Sequence, residues 1–189
     1  MNPTREELEQ ARGRLLPDVV ADNLAVLFCG INPGLWSAAT GEHFGRPGNR
    51  FWPALHGSGF TPRRFAPAEQ SELLALGLGI TNVVARPTAR AEELSAAELR
   101  QGGAVLARKV RRRRPQWLAV VGVTAYRTGF DAPRATVGEQ ERTVGAARVW
   151  VLPSTSGLNA HWSAAGLADA FAELRRATEL AEDDGATAR

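Results

Sequence analysis

Four short apolar runs, separated by longer amphipathic or polar stretches, organise the chain. They are Leu24–Cys29, Leu78–Val84, Trp117–Val121 and Ala147–Leu152. Runs of this length, bounded by glycine, proline and polar residues, are typical of strands buried in a sheet. Because helical patterns separate the runs, they predict an α/β domain with a mainly parallel sheet, helices on both faces and right-handed crossovers.

Helices are predicted between the strands from capping residues and from the spacing of apolar positions. The predicted helices are Thr4–Leu16, a short helix after Asn49, Pro67–Leu76, Ser95–Arg114 and Ser163–Leu180. All of them are interpreted as structural elements that cover the sheet.

Two segments do not follow either pattern. Leu35–Gly48 is rich in small and polar residues and predicts an irregular loop, although it carries large aromatic side chains such as Phe44. Phe130–Gly145 is polar and contains glycine, which predicts an excursion or a small hairpin. We expect one domain over residues 1–182, followed by a disordered tail at residues 183–189.

Composition limits the classes of function without selecting one. The chain has 189 residues, a formal charge of +3 and one cysteine, Cys29, which excludes an internal disulfide and a cysteine-rich metal site. No apolar stretch is long enough to span a membrane, and the polar start lacks the core of a signal peptide, so we expect a cytoplasmic location or wherever the cell keeps its DNA.

The choice of cations is unusual, because Lys109 is the only lysine among 23 basic residues. Arginine suits phosphate recognition, but an abundance of alanine, glycine and arginine could equally reflect a GC-rich genome. The run Arg108–Arg114 falls in the last turns of a predicted helix, where cations complement the helix dipole. We interpret it as a solvated helix end in preference to a dedicated DNA-binding patch.

The candidate chemistry lies where the first strand ends. Asn32 follows the apolar run and stands before Pro33, between Gly30 and Gly34. Ligands of open α/β sheets bind outside the carboxyl ends of the strands, and glycines allow the backbone to come close to a ligand. An ordinary strand-to-loop turn is the alternative interpretation of this stretch.

A second loop, after the fourth strand, places an apolar side chain among polar residues. Leu158 stands on a Gly-Leu tip, and in a parallel sheet this loop opens on the same side as Asn32, so the two residues can flank one cleft. Proteins that bend DNA or flip bases insert such a wedge into the base stack. The alternative is a leucine that folds back onto the core.

Four motifs together resemble the mismatch-specific uracil/thymine DNA glycosylases, a branch of the uracil-DNA glycosylase superfamily. The resemblance spans roughly residues 24–174. The motifs are Gly30-Ile-Asn-Pro-Gly, Asn49-Arg-Phe-Trp, Gly79-Ile-Thr-Asn-Val-Val-Ala-Arg-Pro-Thr and Pro153-Ser-Thr-Ser-Gly-Leu-Asn. It implies a three-layer α/β/α fold with a mainly parallel sheet of four or five strands, no metal or other cofactor, and hydrolysis of the bond that joins a flipped base to deoxyribose.

The resemblance also implies roles for single residues. Asn32 is similar to the residue that holds the attacking water, and Phe44 to the aromatic that stacks on the extruded base. Ile31 and Phe44 would read the edge of the base with backbone groups, and Ser37 resembles a pocket residue. The wedge loop that fills the vacated space in the duplex would consist of Gly157, Leu158 and Asn159. Phe44 could instead pin its loop to the core.

The sequence departs from faster uracil glycosylases, which place an acidic residue in the first loop and a histidine in the last. Asn32 is no strong base, and His161 lies several residues too late, so we predict a slow enzyme. A nearby carboxylate could assist Asn32, with Glu92 and Glu93 as the candidates, although solvated charges are the preferred interpretation. Trp36 stands where relatives often carry a small polar residue, and Ala160 stands where some relatives carry a basic residue.

The expected partner is double-stranded DNA with a G·U or G·T mismatch or a damaged pyrimidine, acted on by a monomer. A protein that holds flipped bases without cleaving them is the main alternative, because Asn32 is a modest catalytic group. A small-nucleotide hydrolase ranks last, because the chain has neither a phosphate-binding P-loop nor an acidic metal cluster.

Overall fold

The computed structural model describes residues 2–178 and contains the predicted sheet. Its five strands run in the order β2-β1-β3-β5-β4, and all pairs are parallel except the edge pair of β4 and β5. The strands are β1 (Val26–Gly30), β2 (Leu78–Asn82), β3 (Trp117–Val121), β4 (Gly138–Val144) and β5 (Ala147–Leu152). The predicted α/β class with a mainly parallel sheet and flanking helices is therefore confirmed.

Helices cover both faces of the sheet. Within residues 2–178 they are α1 (Arg5–Gln10), α2 (Leu35–Thr40), α3 (Phe51–Gly57), α4 (Ala96–Arg113), α5 (Val123–Gly129) and α6 (Ala164–Ala177), with 3₁₀ turns at Ala11–Gly13, Pro67–Leu76 and Ala91–Glu93. Alternate side chains of β1 point to opposite faces. Phe28 therefore packs in the core with α3 and α6, whereas Leu27 and Cys29 pack in the core with α4 and α5.

The segment after β1 differs from the prediction of an irregular loop. Its first part, Leu35–Thr40, forms α2, which begins after Gly34 and ends at Gly41 in the left-handed conformation, with φ of 77°. The helix buries Leu35, Ser37 and Ala38, so tertiary packing outweighs the small and polar composition that predicted a loop. The remaining part of the segment carries Phe44 at a positive φ of 53°.

Other boundaries also shift. The first helix ends at Gln10 and continues only as a 3₁₀ turn to Gly13, short of the predicted Leu16, and Pro67–Leu76 is 3₁₀ instead of α-helical. The polar segment before β5 supplies β4, so its interpretation as a hairpin is confirmed. The predicted tail at residues 183–189 and the predicted end of the last helix at Leu180 lie outside the described residues.

The parallel strands β1, β2, β3 and β5 all end on the same side of the sheet, which is its carboxyl edge. Helix α4 returns in the opposite direction, and the carbonyl of Arg113 at its end accepts a hydrogen bond from Asn23, just before β1. The arginine-rich end of α4 therefore lies at the opposite edge of the sheet. None of the helices within residues 2–178 combines the length and the apolar character needed to cross a membrane.

Candidate active site

A cavity of about 170 Å³ lies at the carboxyl edge of the sheet. The loop after β1 contributes Ile31 and Asn32, α2 contributes Ser37, the loop after α2 contributes Phe44, and the loop after β5 contributes residues 154–156. The structure thus brings together the four residues that the sequence nominated for water and base binding. Among residues 2–178, none that lines this cavity has a carboxylate side chain.

Asn32 is held by its amide nitrogen. Nδ2 donates to the carbonyl oxygen of Arg86 and to Oγ1 of Thr88, each at 2.8 Å, which uses both amide hydrogens. If the amide were rotated, its oxygen would face the carbonyl oxygen of Arg86, and neither of these acceptors carries a proton. The hydrogen bonds therefore fix which amide atom is Nδ2 and which is Oδ1. Asn32 lines the cavity, and within residues 2–178 no hydrogen bond engages its oxygen Oδ1, which is left as an acceptor.

The loop after β2 supplies these partners because it runs beside the loop after β1. Backbone hydrogen bonds join Val84 to Ile31, Thr88 to Pro33 and Leu35 to Thr88, at 2.9 to 3.1 Å. Pairing therefore continues past the end of both strands. Asn32 is positioned by this extension of the sheet, which makes its amide a fixed group in the free protein.

Phe44 pins its loop to the core, as one of its two interpretations predicted, and its stacking on an extruded base stays a prediction. Its ring stacks on Phe51 with centroids 4.0 Å apart and an interplanar angle of 14°, and it also lines the cavity. Phe51 is fully buried, so the loop is pinned to the core. Within the described part of the chain no hydrogen bond engages the backbone N–H or C=O of Phe44.

Ser37 is buried in the wall of the cavity. Its Oγ accepts a hydrogen bond from the backbone N–H of Gly45 at 3.2 Å, which ties α2 to the loop that carries Phe44. The hydroxyl hydrogen remains available for a polar atom of a ligand.

Two further residues of the site were missed by sequence reasoning. Asn82 ends β2 and lines the cavity, and its Nδ2 lies 3.5 Å from Nδ1 of the buried His43. Nε2 of that ring lies 2.9 Å from the carbonyl of Pro17, which needs a donor, so Nε2 carries the proton and Nδ1 is an acceptor. Burial lowers the pKa of His43 and favours this neutral form.

The position of Asn82 at the end of a parallel strand is the signal that could have found it, since it is the same signal that selected Asn32. Its amide is close to the backbone of β1: a Cβ atom added to Gly30 would lie 2.6 Å from Oδ1 of Asn82. A side chain at position 30 would therefore have to displace the amide of Asn82.

Glu93 is not brought to the cavity. Its carboxylate accepts the backbone N–H of Arg90 at 3.0 Å and pairs with Arg12 at 3.1 Å. Burial alone would raise the pKa of Glu93, but these partners hold it below its ordinary value. Glu92, the neighbouring candidate, lines a second cavity and not the one that contains Asn32.

This second cavity, of about 920 Å³, adjoins the first and is lined by two of the three predicted wedge residues. Leu158 and Asn159 line it, and Ile31, Arg46 and Arg90 line both cavities. Asn32 and Leu158 thus lie on the same side of the molecule, in neighbouring cavities and not in a single cleft. Arg46 and Arg90 give the shared boundary two positive charges.

Leu158 does not fold back onto the core. Its exposed fraction is 80%, whereas the backbone on both sides of it is hydrogen-bonded within the loop. Asn159 uses its amide internally, donating to the carbonyl of Ser154 and accepting from the N–H of His161. Gly157 packs against the loop before α3, since a Cβ there would lie 2.7 Å from the carbonyl oxygen of Gly48.

Comparison with known proteins supports the superfamily that the four motifs resemble, and its mismatch-specific branch stays a prediction. Residues 17–178 match the family model of the uracil DNA glycosylase superfamily. The chain belongs to this superfamily. Its fold is similar to a solution NMR structure of a candidate uracil DNA glycosylase from Methanosarcina acetivorans, with a TM-score of 0.57 and 19% sequence identity over 86% of this chain and 98% of that one. Membership of the uracil DNA glycosylase superfamily implies a hydrolase that cleaves N-glycosidic bonds.

Proposed function

We propose that the protein is a monofunctional DNA glycosylase that flips uracil out of mismatched duplex DNA and hydrolyses its N-glycosidic bond, leaving an abasic site for base excision repair. The observation that carries this proposal is the amide of Asn32, a residue that lines the cavity, whose two hydrogens are engaged and whose oxygen is left as an acceptor. An exposed Leu158 on the same side of the molecule supplies the group that the flipping step requires.

Catalysis rests on positioning and on stabilising the leaving group. As the glycosidic bond breaks, positive charge develops on the sugar and negative charge on the departing base. The side-chain amide oxygen of Asn32, Oδ1, orients a water molecule toward the sugar carbon, although it cannot remove a proton as a strong base would. Backbone N–H groups near the base, that of Phe44 among them, stabilise the anion, a contribution of about 2.7–4 kcal/mol per donor in comparable oxyanion sites.

The residues that line the cavity suit a flat base. Phe44 offers a ring for stacking, and Asn82 and Ser37 offer polar groups at the wall. Stacking of a base on an aromatic side chain contributes about 1–3 kcal/mol. We propose uracil opposite guanine as the first substrate, with thymine and damaged pyrimidines as further ones, and a monomer as the acting species.

A slow reaction follows from the lining of the cavity, because none of its described residues is a carboxylate that could activate water. The same observation favours a second candidate function, a protein that binds flipped bases without cleaving them. Incubation with a U·G duplex followed by alkali separates the two. Strand breaks at the uracil support the glycosylase, whereas a gel shift of the duplex without breaks supports the binding protein.

A further inference from the structure

One arginine at the start of α3 is bonded to the loop that carries Leu158. Its guanidinium donates to three backbone carbonyls: Nη1 of Arg50 to Trp162 at 2.5 Å, and Nη2 to Ser156 at 2.9 Å and to Asn159 at 2.7 Å. The backbone N–H of the same residue donates to the carbonyl of Thr155 at 2.9 Å. Four carbonyls of one loop therefore face a single residue more than 100 positions earlier in the chain.

The three guanidinium bonds are placed around the tip of the loop. Ser156 and Asn159 stand on either side of Gly157 and Leu158, so one side chain holds both ends of the tip. The Leu158 side chain is 80% exposed and contributes little packing that could fix the loop. The direction in which Leu158 points is thus set through its backbone, and that backbone is held by Arg50.

An arginine suits this task better than any other residue. Its planar guanidinium presents five N–H donors in a fixed arrangement, whereas a lysine ammonium is a point charge that cannot reach three separated carbonyls in one plane. Arg50 is also firmly anchored, because the next two residues, Phe51 and Trp52, are buried in the core. Arg50 therefore connects the exposed Leu158 loop to the rigid core.

We propose that Arg50 is a positioning residue that keeps the Leu158 loop ordered before DNA is bound, so that the leucine enters the base stack without a prior rearrangement. A loop that must be ordered during binding lowers affinity by the entropy that it loses, and order in the free protein removes that cost. This inference rests on the proposed base-flipping function.

The test compares two substrates and four variants. Arg50→Ala should lower kcat/KM on the U·G duplex by about ten- to a hundredfold, the range for losing charge-assisted hydrogen bonds, and should change cleavage of single-stranded uracil DNA much less. The double variant with Leu158→Ala should be no slower on the duplex than Leu158→Ala alone, because Arg50 acts only through that residue. Arg142→Ala is the matched control, since Arg142 also donates to a loop carbonyl, that of Phe130.

Amide hydrogen exchange provides a measurement that does not depend on activity. The N–H groups of Leu158 and Asn159 should exchange faster in Arg50→Ala than in the wild type, and as slowly as the wild type in Arg142→Ala. Equal losses on duplex and single strand, additive effects in the double variant, or unchanged exchange would each overturn the proposal. If Arg50→Ala does not fold, Arg50→Lys is measured in the same way, with the same outcomes expected. A wild type that cleaves neither substrate would contradict the proposed function, whereas the exchange result would still test the role of Arg50 in ordering the loop.

Discussion

The two groups proposed to act on DNA are held in opposite ways. Asn32 is fixed through its side chain, whose amide hydrogens are bound by Arg86 and Thr88. Leu158 is fixed through its backbone, and its side chain is exposed to solvent. Water must be directed to one atom, which requires a fixed carboxamide, whereas a wedge must leave the protein surface and displace bases. The chemical step therefore needs an ordered side chain, and the mechanical step needs an ordered backbone.

The largest effect is expected at the fixed amide. Asn32→Ala removes the acceptor for water and should lower the single-turnover cleavage rate by about 10²-fold or more, in the range for losing a positioned catalytic group, while binding of the duplex survives. Rapid-quench measurement of abasic sites, with a gel shift for binding, checks both statements. A rate equal to that of the wild type would remove Asn32 from the mechanism.

The next effect is expected at the wedge. Leu158→Ala should lower kcat/KM on the U·G duplex by about ten- to a hundredfold, which corresponds to the 1.5–3 kcal/mol of burying a leucine side chain. Cleavage of single-stranded uracil DNA should change little, because only a duplex has a vacated space to fill. Leu15→Ala is the control, since Leu15 is 75% exposed and lines neither cavity. Equal losses on both substrates would show that Leu158 does not act as a wedge.

A smaller effect is expected one contact away from the chemistry. Thr88→Val keeps the shape of the side chain but removes the oxygen that accepts from Asn32, and the amide then keeps only the bond to Arg86. Loss of one neutral hydrogen bond corresponds to about 0.5–1.5 kcal/mol, so kcat should fall by about two- to tenfold. The loss should disappear when Thr88→Val is introduced into Asn32→Ala, and an additive loss there would place the role of Thr88 elsewhere.

The smallest effect concerns stability and pH. Burial lowers the pKa of His43 from its usual value of 6.5, so the folded protein binds fewer protons at this ring than the unfolded chain does. The resulting stability is present above pH 6.5 and is lost as the pH falls through the lowered pKa of the folded state. His43→Gln supplies an amide that does not titrate, and its melting temperature should fall less than that of the wild type between about pH 7.5 and about pH 5.5. Parallel falls in the two proteins would contradict this assignment.

The fold was largely predictable because the buried strands are continuous apolar runs. Trp117–Val121 and Ala147–Leu152 were predicted with their observed bounds, and the segment before the last strand, predicted as an excursion or a small hairpin, supplies the strand that pairs with β5. Helix α2 was missed because its stability comes from burying Leu35 and Ala38 and not from its composition. Local pattern describes such a segment poorly when tertiary contacts decide its conformation.

The candidate site was predictable where a motif or the position along a strand reveals it. Asn32 was selected because it follows β1, and the same rule applied to β2 would have selected Asn82. His43 and Arg50 were not predictable in their observed roles, because their partners lie in distant segments that only the fold brings near. Glu93 was nominated from its neighbourhood in the sequence, yet its carboxylate is occupied by Arg12 and by the backbone of Arg90.

The contact between Gly48 and Gly157 has a consequence for engineering this protein. Two backbones touch there without an intervening side chain, since even a methyl group on Gly157 would meet the carbonyl oxygen of Gly48 at 2.7 Å. Libraries that randomise position 157 to alter the grip on DNA would therefore push on the loop that also carries Phe44. Variants selected for stronger insertion into DNA would therefore also change how the protein accepts bulkier bases, so the two properties have to be evolved together.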